Sequence, residues 1–326
     1  MRIFIFFGLL FSALFSALGL NAQQWVQFSQ ANEYGTFLNP AYTGFNSNMN
    51  ATLAHRSQYV GLGTEAIGTQ YASFSSPLIS SKWGLGFRLV NDFIGLQRFT
   101  NLDINAAYHI LEGKHKLSSG LSAGIVQFGL NGAKLTAPDG SYLPGVVQHN
   151  DDLLPNTSSS GMAPTFSFGI IYGFKNFEAG VAMQHLSSPK INISNTASGT
   201  IIYLSRTINL HSSYVIKVNN IKVKPSFFCK TDFKKWQAQL NVELDWRKLI
   251  AGLGFRGYSG LNNDAVIGLL GFKLKEKIRV VYSYDYNVSF LNNSNSGSHE
   301  LSLRFDLQKS FKQNVKSNII FNPRFL

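Results

Sequence analysis

Apolar and polar residues alternate along almost the whole chain, which is the pattern of a β-strand with one apolar face. In residues 236–246 every even position is apolar, with a tryptophan at each end, and every odd position is Gln, Asn, Glu or Asp. A strand that crosses an outer membrane needs about 9–11 such residues, with aromatic side chains at both interfaces. This segment meets both requirements.

The same alternation recurs often enough to predict about 14 antiparallel strands, with no competing helical period. An even number of strands is what a single-chain bacterial barrel requires. We therefore predict an all-β transmembrane antiparallel β-barrel. The predicted strands lie at 49–60, 69–78, 82–93, 99–112, 115–130, 164–174, 176–186, 203–218, 221–231, 236–246, 248–258, 264–274, 277–289 and 297–308.

The connections between these strands alternate in length. Every second connection is very short, whereas the others are longer and include 131–163 and 187–202. Membrane barrels have short periplasmic turns and longer extracellular loops. Since only helices and closed barrels satisfy every backbone polar group in lipid, we expect the apolar faces to contact lipid.

Composition supports a membrane environment. Charged residues make up 14% of the chain, against about 25% in a typical soluble domain. The formal net charge is +12, but Lys and Arg are scattered and no basic helix is visible. With an export signal at the N-terminus, the sequence indicates an envelope protein that contacts outer-membrane lipid, and no nucleic acid partner is expected.

The N-terminus has the form of a secretory signal peptide. Arg2 precedes an uncharged apolar stretch at 3–20, and Ala22 offers a small residue before the cleavage point. We assign 1–22 to the signal peptide, 23–48 to an N-terminal periplasmic segment or plug, 49–308 to the barrel and 309–326 to a basic C-terminal periplasmic tail. After the signal, no uncharged apolar run approaches the ~20 residues of a membrane helix.

Three features that often carry chemistry have plain structural interpretations here. GLSAG at 120–124 matches the G-x-S-x-G pattern, but a nucleophile elbow needs a strand, a sharp turn and a helix, and this segment lies inside an alternating strand. The histidines show no metal-ligand spacing. Cys229 has the lipid-facing parity of its strand and is expected to be an inert apolar residue. No metal and no cofactor are predicted.

Charged residues cluster on the polar face of the last two predicted strands. One interpretation is a Ser/His/acid hydrolase site in the barrel wall; the other, which we favour, is a hydrogen-bonded network that stabilises the inner wall. The candidate members of this network are Arg279, Asp285, His299, Glu300 and Arg304.

The stretch NPAYTG at 39–44 predicts a rigid turn before the first strand. Because we expect it on the periplasmic side, we take it as a candidate docking element for a periplasmic partner. Its candidate residues are Asn39, Pro40, Ala41, Tyr42 and Gly44.

Several stretches together resemble the PorP/SprF family of type IX secretion system outer-membrane proteins. Their order and spacing cover essentially the whole mature chain. They are QFSQ (27–30), LNPAYTG (38–44), HRSQYVGLG (55–63), SFSSPL (73–78), GLGFRLVNDFIG (84–95), YSYDYNVS (282–289), GSHELSLRF (297–305) and the terminal NPRFL (322–326).

The resemblance implies a non-enzymatic outer-membrane barrel in a Bacteroidota-type envelope. Some members are core parts of the secretion machine and associate with periplasmic lipoproteins of its ring and with a peptidoglycan-linked component. Others help to export a secreted surface protein, such as a gliding adhesin, or hold its C-terminal region at the cell surface. The alternative that the residues leave open is an outer-membrane porin or small-solute transporter, because the inner face mixes charges of both signs.

Overall fold

The computed structural model is a closed antiparallel β-barrel of 14 strands, which confirms the predicted fold class. It describes residues 26–46, 48–61, 67–78, 82–143, 146–151, 154–193, 200–258, 262–275, 277–289 and 295–307. The predicted signal peptide at 1–22 and the predicted C-terminal tail at 309–326 lie outside the described residues. In the described part, no helix is both long and apolar enough to cross a membrane.

Nineteen strands are present among the described residues, and fifteen of them form the barrel sheet. They are β1 (Met49–Gln58), β2 (Ile67–Pro77), β3 (Trp83–Ile94), β4 (Gln97–Glu112), β5 (His115–Asn131), β6 (Ser141–Leu143), β7 (Val146–Gln148), β8 (Ser158–Phe174), β9 (Phe177–Gln184), β10 (Lys190–Ile193), β11 (Thr200–Tyr203), β12 (Thr207–Tyr214), β13 (Ile216–Val218), β14 (Ile221–Thr231), β15 (Trp236–Trp246), β16 (Leu249–Tyr258), β17 (Asn262–Leu274), β18 (Ile278–Asn287) and β19 (Ser298–Leu307).

The barrel closes where the first strand meets the last. β1 pairs with β19 in register from Met49 opposite Leu307 to Ser57 opposite His299. Each other barrel strand pairs with the barrel strands that precede and follow it along the chain. The hairpins β6–β7 and β10–β11 form two separate two-stranded sheets. β12 and β13 both pair with β14, so they count as one strand of the ring.

The alternation separates the two faces of the wall as predicted. In β15, Leu240, Val242 and Leu244 are exposed on the outside, while Gln239 and Glu243 are buried on the inside. This separation arises because successive side chains of a strand point to opposite faces of the sheet. The apolar outer face is therefore the surface that meets lipid.

Two predicted strand boundaries are wrong on the loop side. β8 begins at Ser158 rather than at 164, because Ser158 pairs with Asn131 in an extension of β5 whose residues show little alternation. The predicted strand at 203–218 is divided: Thr200–Tyr203 pairs with Lys190–Ile193 in an external hairpin, and the barrel strand starts only at Thr207. Both differences come from long-range pairing that local patterns do not show.

The connections divide the barrel into a short-turn end and a long-loop end. At the short-turn end, pairs of residues such as 113–114, 175–176 and 247–248 join neighbouring strands, whereas 132–157 and 185–206 cross the long-loop end. The expectation that every connection at this second end is longer is wrong. Gly95 and Leu96 alone join β3 to β4, with Gly95 at a φ of 58°.

We predict that the short-turn end faces the periplasm. In a Cys229→Ser background, Asp139→Cys (in the long loop 132–157) should react with a membrane-impermeant maleimide on intact cells. Lys248→Cys, in the short turn 247–248, should react only after the outer membrane is permeabilised. Both positions are exposed, so access rather than burial decides the labelling. The opposite labelling pattern would mean that the orientation is inverted.

Candidate functional site

The N-terminal segment 26–46 lies inside the barrel and fills its lumen as a plug. Val26 accepts a hydrogen bond from Lys230 near the long-loop end of β14, at 3.2 Å. At the other end, the backbone N–H of Gly44 donates to Ser75 near the first short turn, at 2.7 Å. The plug therefore runs from the long-loop end to the short-turn end before β1 begins. Sixteen of its 21 residues are buried.

Aromatic residues give the plug an apolar centre. The Phe28 ring lies 4.5 Å from that of Tyr34 and 4.9 Å from that of Phe37, measured between centroids. Tyr71 on the wall packs against the same group, 5.1 Å from Tyr34. The Phe28–Phe37 and Tyr34–Tyr71 pairs are edge-to-face, and such contacts contribute about 0.5–1.5 kcal/mol each beyond the area that they bury. The plug thus carries its own core.

A buried charge cluster joins the plug to the wall at the seam between β1 and β19. Asp285 accepts hydrogen bonds from Arg56 at 2.8 Å, from Arg256 at 2.7 Å and from the Ser29 hydroxyl at 2.6 Å. Arg56 also pairs with Glu300 at 3.1 Å. The side chains of Arg56, Asp285 and Glu300 are fully buried.

The plug supplies the hydrogen bonds that this cluster needs. Glu300 accepts from the backbone N–H of Ser29 at 2.7 Å, from that of Gln30 at 3.1 Å and from the Tyr34 hydroxyl at 2.9 Å. A buried ion pair offsets its loss of hydration only when further hydrogen bonds satisfy the charged atoms. Removing the plug would leave these carboxylates without those donors.

Two further arginines hold the plug at other points. Arg88 pairs with Asp103 on the wall and donates to the plug carbonyls of Thr36 at 3.2 Å and Phe37 at 2.9 Å. Towards the short-turn end, Arg279 pairs with Glu33 of the plug at 2.7 Å and with Glu243 of the wall. Arg88 and Arg279 thus bond both to the wall and to the plug.

The predicted docking segment 39–44 is the lower part of the plug. It forms the rigid turn that the sequence predicts, because the Asn39 side chain accepts from the Ala41 N–H at 2.9 Å and caps the helical turn Pro40–Tyr42. The same side chain donates to the wall carbonyls of Ile170 and Val181 at 3.0 and 3.1 Å.

Burial restricts what this segment can offer a partner. Pro40 and Gly44 are buried and Asn39 and Ala41 have no exposed surface, while Tyr42 is half-buried. A docking role for the segment stays a prediction. In this structure its contacts are with the barrel.

The predicted inner-wall network divides into separate groups. Asp285 and Glu300 lie together in the seam cluster, whereas Arg279 and Arg304 lie nearer the short-turn end, where Arg304 pairs with Asp306 at 3.1 Å. The prediction that His299 belongs to the inner-wall network is wrong. Its ring hydrogen-bonds the Tyr282 hydroxyl at 2.6 Å on the outer face. Because Glu300 points inward, its neighbour in the strand must point outward.

Sequence reasoning missed Arg56, Arg256 and Ser29, which complete the seam cluster. The two arginines have the inward parity of their strands, and that signal was available in the sequence. Ser29 gave no such signal, since it belongs to a polar segment without periodicity. Two of its partners, Asp285 and Arg256, lie more than 200 residues away along the chain.

The GLSAG stretch has a packing explanation instead of a catalytic one. It lies inside β5, which continues without a turn to Asn131. A Cβ at Gly120 would overlap the backbone of Ala41. Glycine is needed there because the plug lies directly against the wall.

Comparison with protein families matches residues 20–305 to the family described as type IX secretion system membrane protein PorP/SprF. The chain belongs to this family. Membership makes the protein an integral outer-membrane component of the type IX secretion system. Neither the PorP/SprF family nor its barrel fold is that of a known enzyme family. A comparison with curated proteins gives no match.

Solved structures similar to this PorP/SprF protein are outer-membrane barrels. The toluene transporter TbuX of Ralstonia pickettii superposes with a TM-score of 0.50 at 9% identity, covering 85% of this chain and 94% of its own. The monoaromatic hydrocarbon channel CymD gives 0.49 at 12% identity over 90% and 96%. Omp33 of Acinetobacter baumannii gives 0.44 at 10% identity over 81% and 100%. At these identities the likeness to TbuX shows the fold alone.

We predict that Asp285→Ala destabilises the barrel strongly, because it leaves Arg56 and Arg256 buried without their shared carboxylate. Loss of one partner from a buried pair costs about 3–5 kcal/mol. Asp306→Ala is the matched control, since the Asp306 side chain is 30% exposed and such pairs contribute about 0–1 kcal/mol. Urea unfolding in phospholipid vesicles measures both. Equal losses of unfolding free energy would contradict the assigned role of the seam cluster.

We also predict that Gly120→Leu displaces the plug while the barrel remains closed. The new side chain would occupy the position of Ala41. Gly268→Leu is the matched control, because a Cβ at Gly268 on the outer face meets no atom within 4 Å. Closure is read from heat-dependent migration on a denaturing gel, and plug displacement from ion conductance in planar bilayers. Conductance should rise for Gly120→Leu only; two silent variants would show that the plug tolerates the change.

Proposed function

We propose that this protein is a non-enzymatic scaffold of the type IX secretion or gliding machinery, which aids export of a secreted partner or retains it at the cell surface. The observation that carries the proposal is the plugged lumen. A barrel held closed by a buried, charge-paired plug provides two fixed ends and a rigid wall. In the described part of the chain, the plug occupies the lumen through which a diffusing solute would have to pass.

The two ends suit two different partners. The long-loop end presents the connections 132–157 and 185–206, each with an ordered hairpin, β6–β7 and β10–β11. These loops would hold the C-terminal region of the secreted surface protein. The barrel would fix that contact relative to the machinery below.

On the periplasmic side, lipoproteins of the ring and a peptidoglycan-linked component would meet the short-turn end. The lower part of the plug contributes half-buried Tyr42 and exposed Asn46 there. Lys222, Lys224 and Lys277 line a cleft at the same end. In this proposal the 39–44 segment anchors the plug by its buried atoms and offers only these outer atoms to a partner.

The alternative is an outer-membrane porin or small-solute transporter. It is favoured by the fold shared with TbuX, which is described as a toluene transporter. Transport through the lumen would require the plug to leave the contacts of Asp285 and Glu300. The buried charges there make this movement costly.

Deletion of the gene tests the choice. We expect one or more large proteins to disappear from the cell surface or the medium, with small-solute permeability near that of the parent strain. Mass spectrometry of the surface and secreted fractions measures the first effect, and uptake of small solutes measures the second. A strain with an intact secreted proteome and slower solute uptake would overturn the scaffold in favour of the transporter.

Complementation of the deletion strain with variants distinguishes the contribution of the plug from that of the barrel and loops. Gly268→Leu should restore the missing surface proteins fully, since it changes only the outer face. Gly120→Leu should restore them less well if the plug keeps the barrel in its functional form. Full restoration by both variants would assign secretion to the barrel and loops without the plug.

A further inference from the structure

A cavity of about 240 Å³ lies above the plug, at the long-loop end of the lumen. Val26 of the plug forms part of its floor. One side is formed by four residues from the end of β11 to the start of β12: Ile202, Leu204, Ser205 and Thr207. Such a space exceeds the need of one water by an order of magnitude. Its apolar lining includes Ile94, Phe99, Phe128, Ile202, Leu204 and Trp236.

One wall of this cavity carries two adjacent nitrogen donors. Lys230 and Gln237 lie directly opposite each other on β14 and β15, and both line the cavity. Gln237 is 9% exposed, yet its Nε2 has no hydrogen-bond partner among the described residues. A buried amide without an acceptor costs about 1–3 kcal/mol. The site therefore lacks an acceptor that a ligand would bring.

The acidic groups facing the cavity are already engaged. Asp92 accepts from the Thr69 hydroxyl at 2.5 Å. Asp232 accepts from the backbone N–H groups of Lys234 and Lys235 at 3.0 and 2.8 Å, within its own turn. Lys235 is the remaining charged residue of the lining and adds a second cation at the rim. The lining thus balances two aspartates with two lysines, and Lys230 is attracted by both aspartates, so the donor that lacks an acceptor among the described residues is the Gln237 amide.

We propose that this cavity binds the carboxylate end of an apolar molecule. Lys230 and Gln237 hold the carboxylate oxygens, and the aliphatic and aromatic lining holds the rest of the molecule. A lysine hydrogen bond to a carboxylate is charge-assisted and stronger than one between neutral groups. Ligand sites have this form: mostly apolar walls with a few placed polar groups. The required chemistry is a monocarboxylate attached to an aromatic or aliphatic body.

Two sources supply that chemistry: a free aromatic or aliphatic acid, and the C-terminal apolar residue of a polypeptide. Both carry one carboxylate next to an apolar group. The cavity lies at the end where long loops gather, so either source reaches it without passing the plug. The proposal does not depend on the secretion role.

Fluorescence of Trp236, which lines the cavity, provides a local measurement. The full-length protein in nanodiscs is titrated with 3-(4-bromophenyl)propionate, whose bromine quenches nearby tryptophan. 3-(4-Bromophenyl)propan-1-ol is the matched neutral probe. We expect saturable quenching by the acid, binding of the alcohol at least about 10-fold weaker, and loss of the response in Trp236→Phe.

Variants assign the binding to the two donors. Lys230→Met should weaken binding of the acid at least about 10-fold and leave binding of the alcohol unchanged. Lys234→Met removes the same charge from an exposed neighbouring position and should change the affinity for neither probe. Because Lys230 also donates to Val26, Gln237→Leu serves as a second variant. The Gln237 Nε2 has no hydrogen-bond partner among the described residues, so this change keeps the hydrogen bond between Lys230 and Val26. Gln237→Leu should weaken binding of the acid by a smaller factor than Lys230→Met does.

Peptides distinguish the sources. If a hexapeptide ending in Phe displaces the acid only when its C-terminus is free rather than amidated, the site accepts a polypeptide terminus. If neither peptide displaces the acid, the ligand is a small molecule. Equal quenching by acid and alcohol, quenching that never saturates, or unchanged acid affinity in both Lys230→Met and Gln237→Leu would overturn the proposal.

Discussion

The buried ion pairs between Asp285, Glu300 and their arginines are the constraint on which the rest of the structure depends. They lie where the first and last barrel strands meet, so closure of the ring brings them together. Charges in a confined, water-poor space are tolerated only when paired and fully hydrogen-bonded. The plug supplies the missing donors through Ser29, Gln30 and Tyr34. Closure of the wall and seating of the plug are therefore parts of one arrangement.

This coupling explains the composition of the inner wall. An open channel would expose its charged groups to water and could leave them unpaired. Here Arg88, Arg279 and Asp285 each bond both to the wall and to the plug. Glycine at position 120 lets the plug backbone approach the wall closely. A lumen built in this way is suited to a fixed scaffold between two partners.

The long-loop end is organised differently. There the inner wall becomes apolar, with Val126 and Phe128 buried beneath Ile191 and Ile193 of the external hairpin. The hairpin caps the upper extension of β5 and β8, and the chain that leaves it borders the cavity near Lys230. Rigid contacts below and an apolar, partly enclosed space above give the two ends distinct chemistry.

The sequence by itself determined the wall of this protein. Alternation in segments such as 236–246 reports which side chains face lipid, because a strand places successive residues on opposite faces. It predicted the strand number, most boundaries and the inward position of Asp285 and Glu300. The same parity, applied to Arg56, Arg256 and His299, would have placed these residues correctly as well.

Only the tertiary structure decided how the lumen is filled. The plug has no periodicity, and its contacts join residues such as Ser29 and Asp285 that are far apart in sequence. Such contacts depend on barrel closure, which places residues of distant strands at the same height along the barrel axis. No local sequence pattern encodes that height. For the same reason the division of the predicted strand at 203–218, the extension of β8 and the cavity beside Gln237 appeared only in the fold.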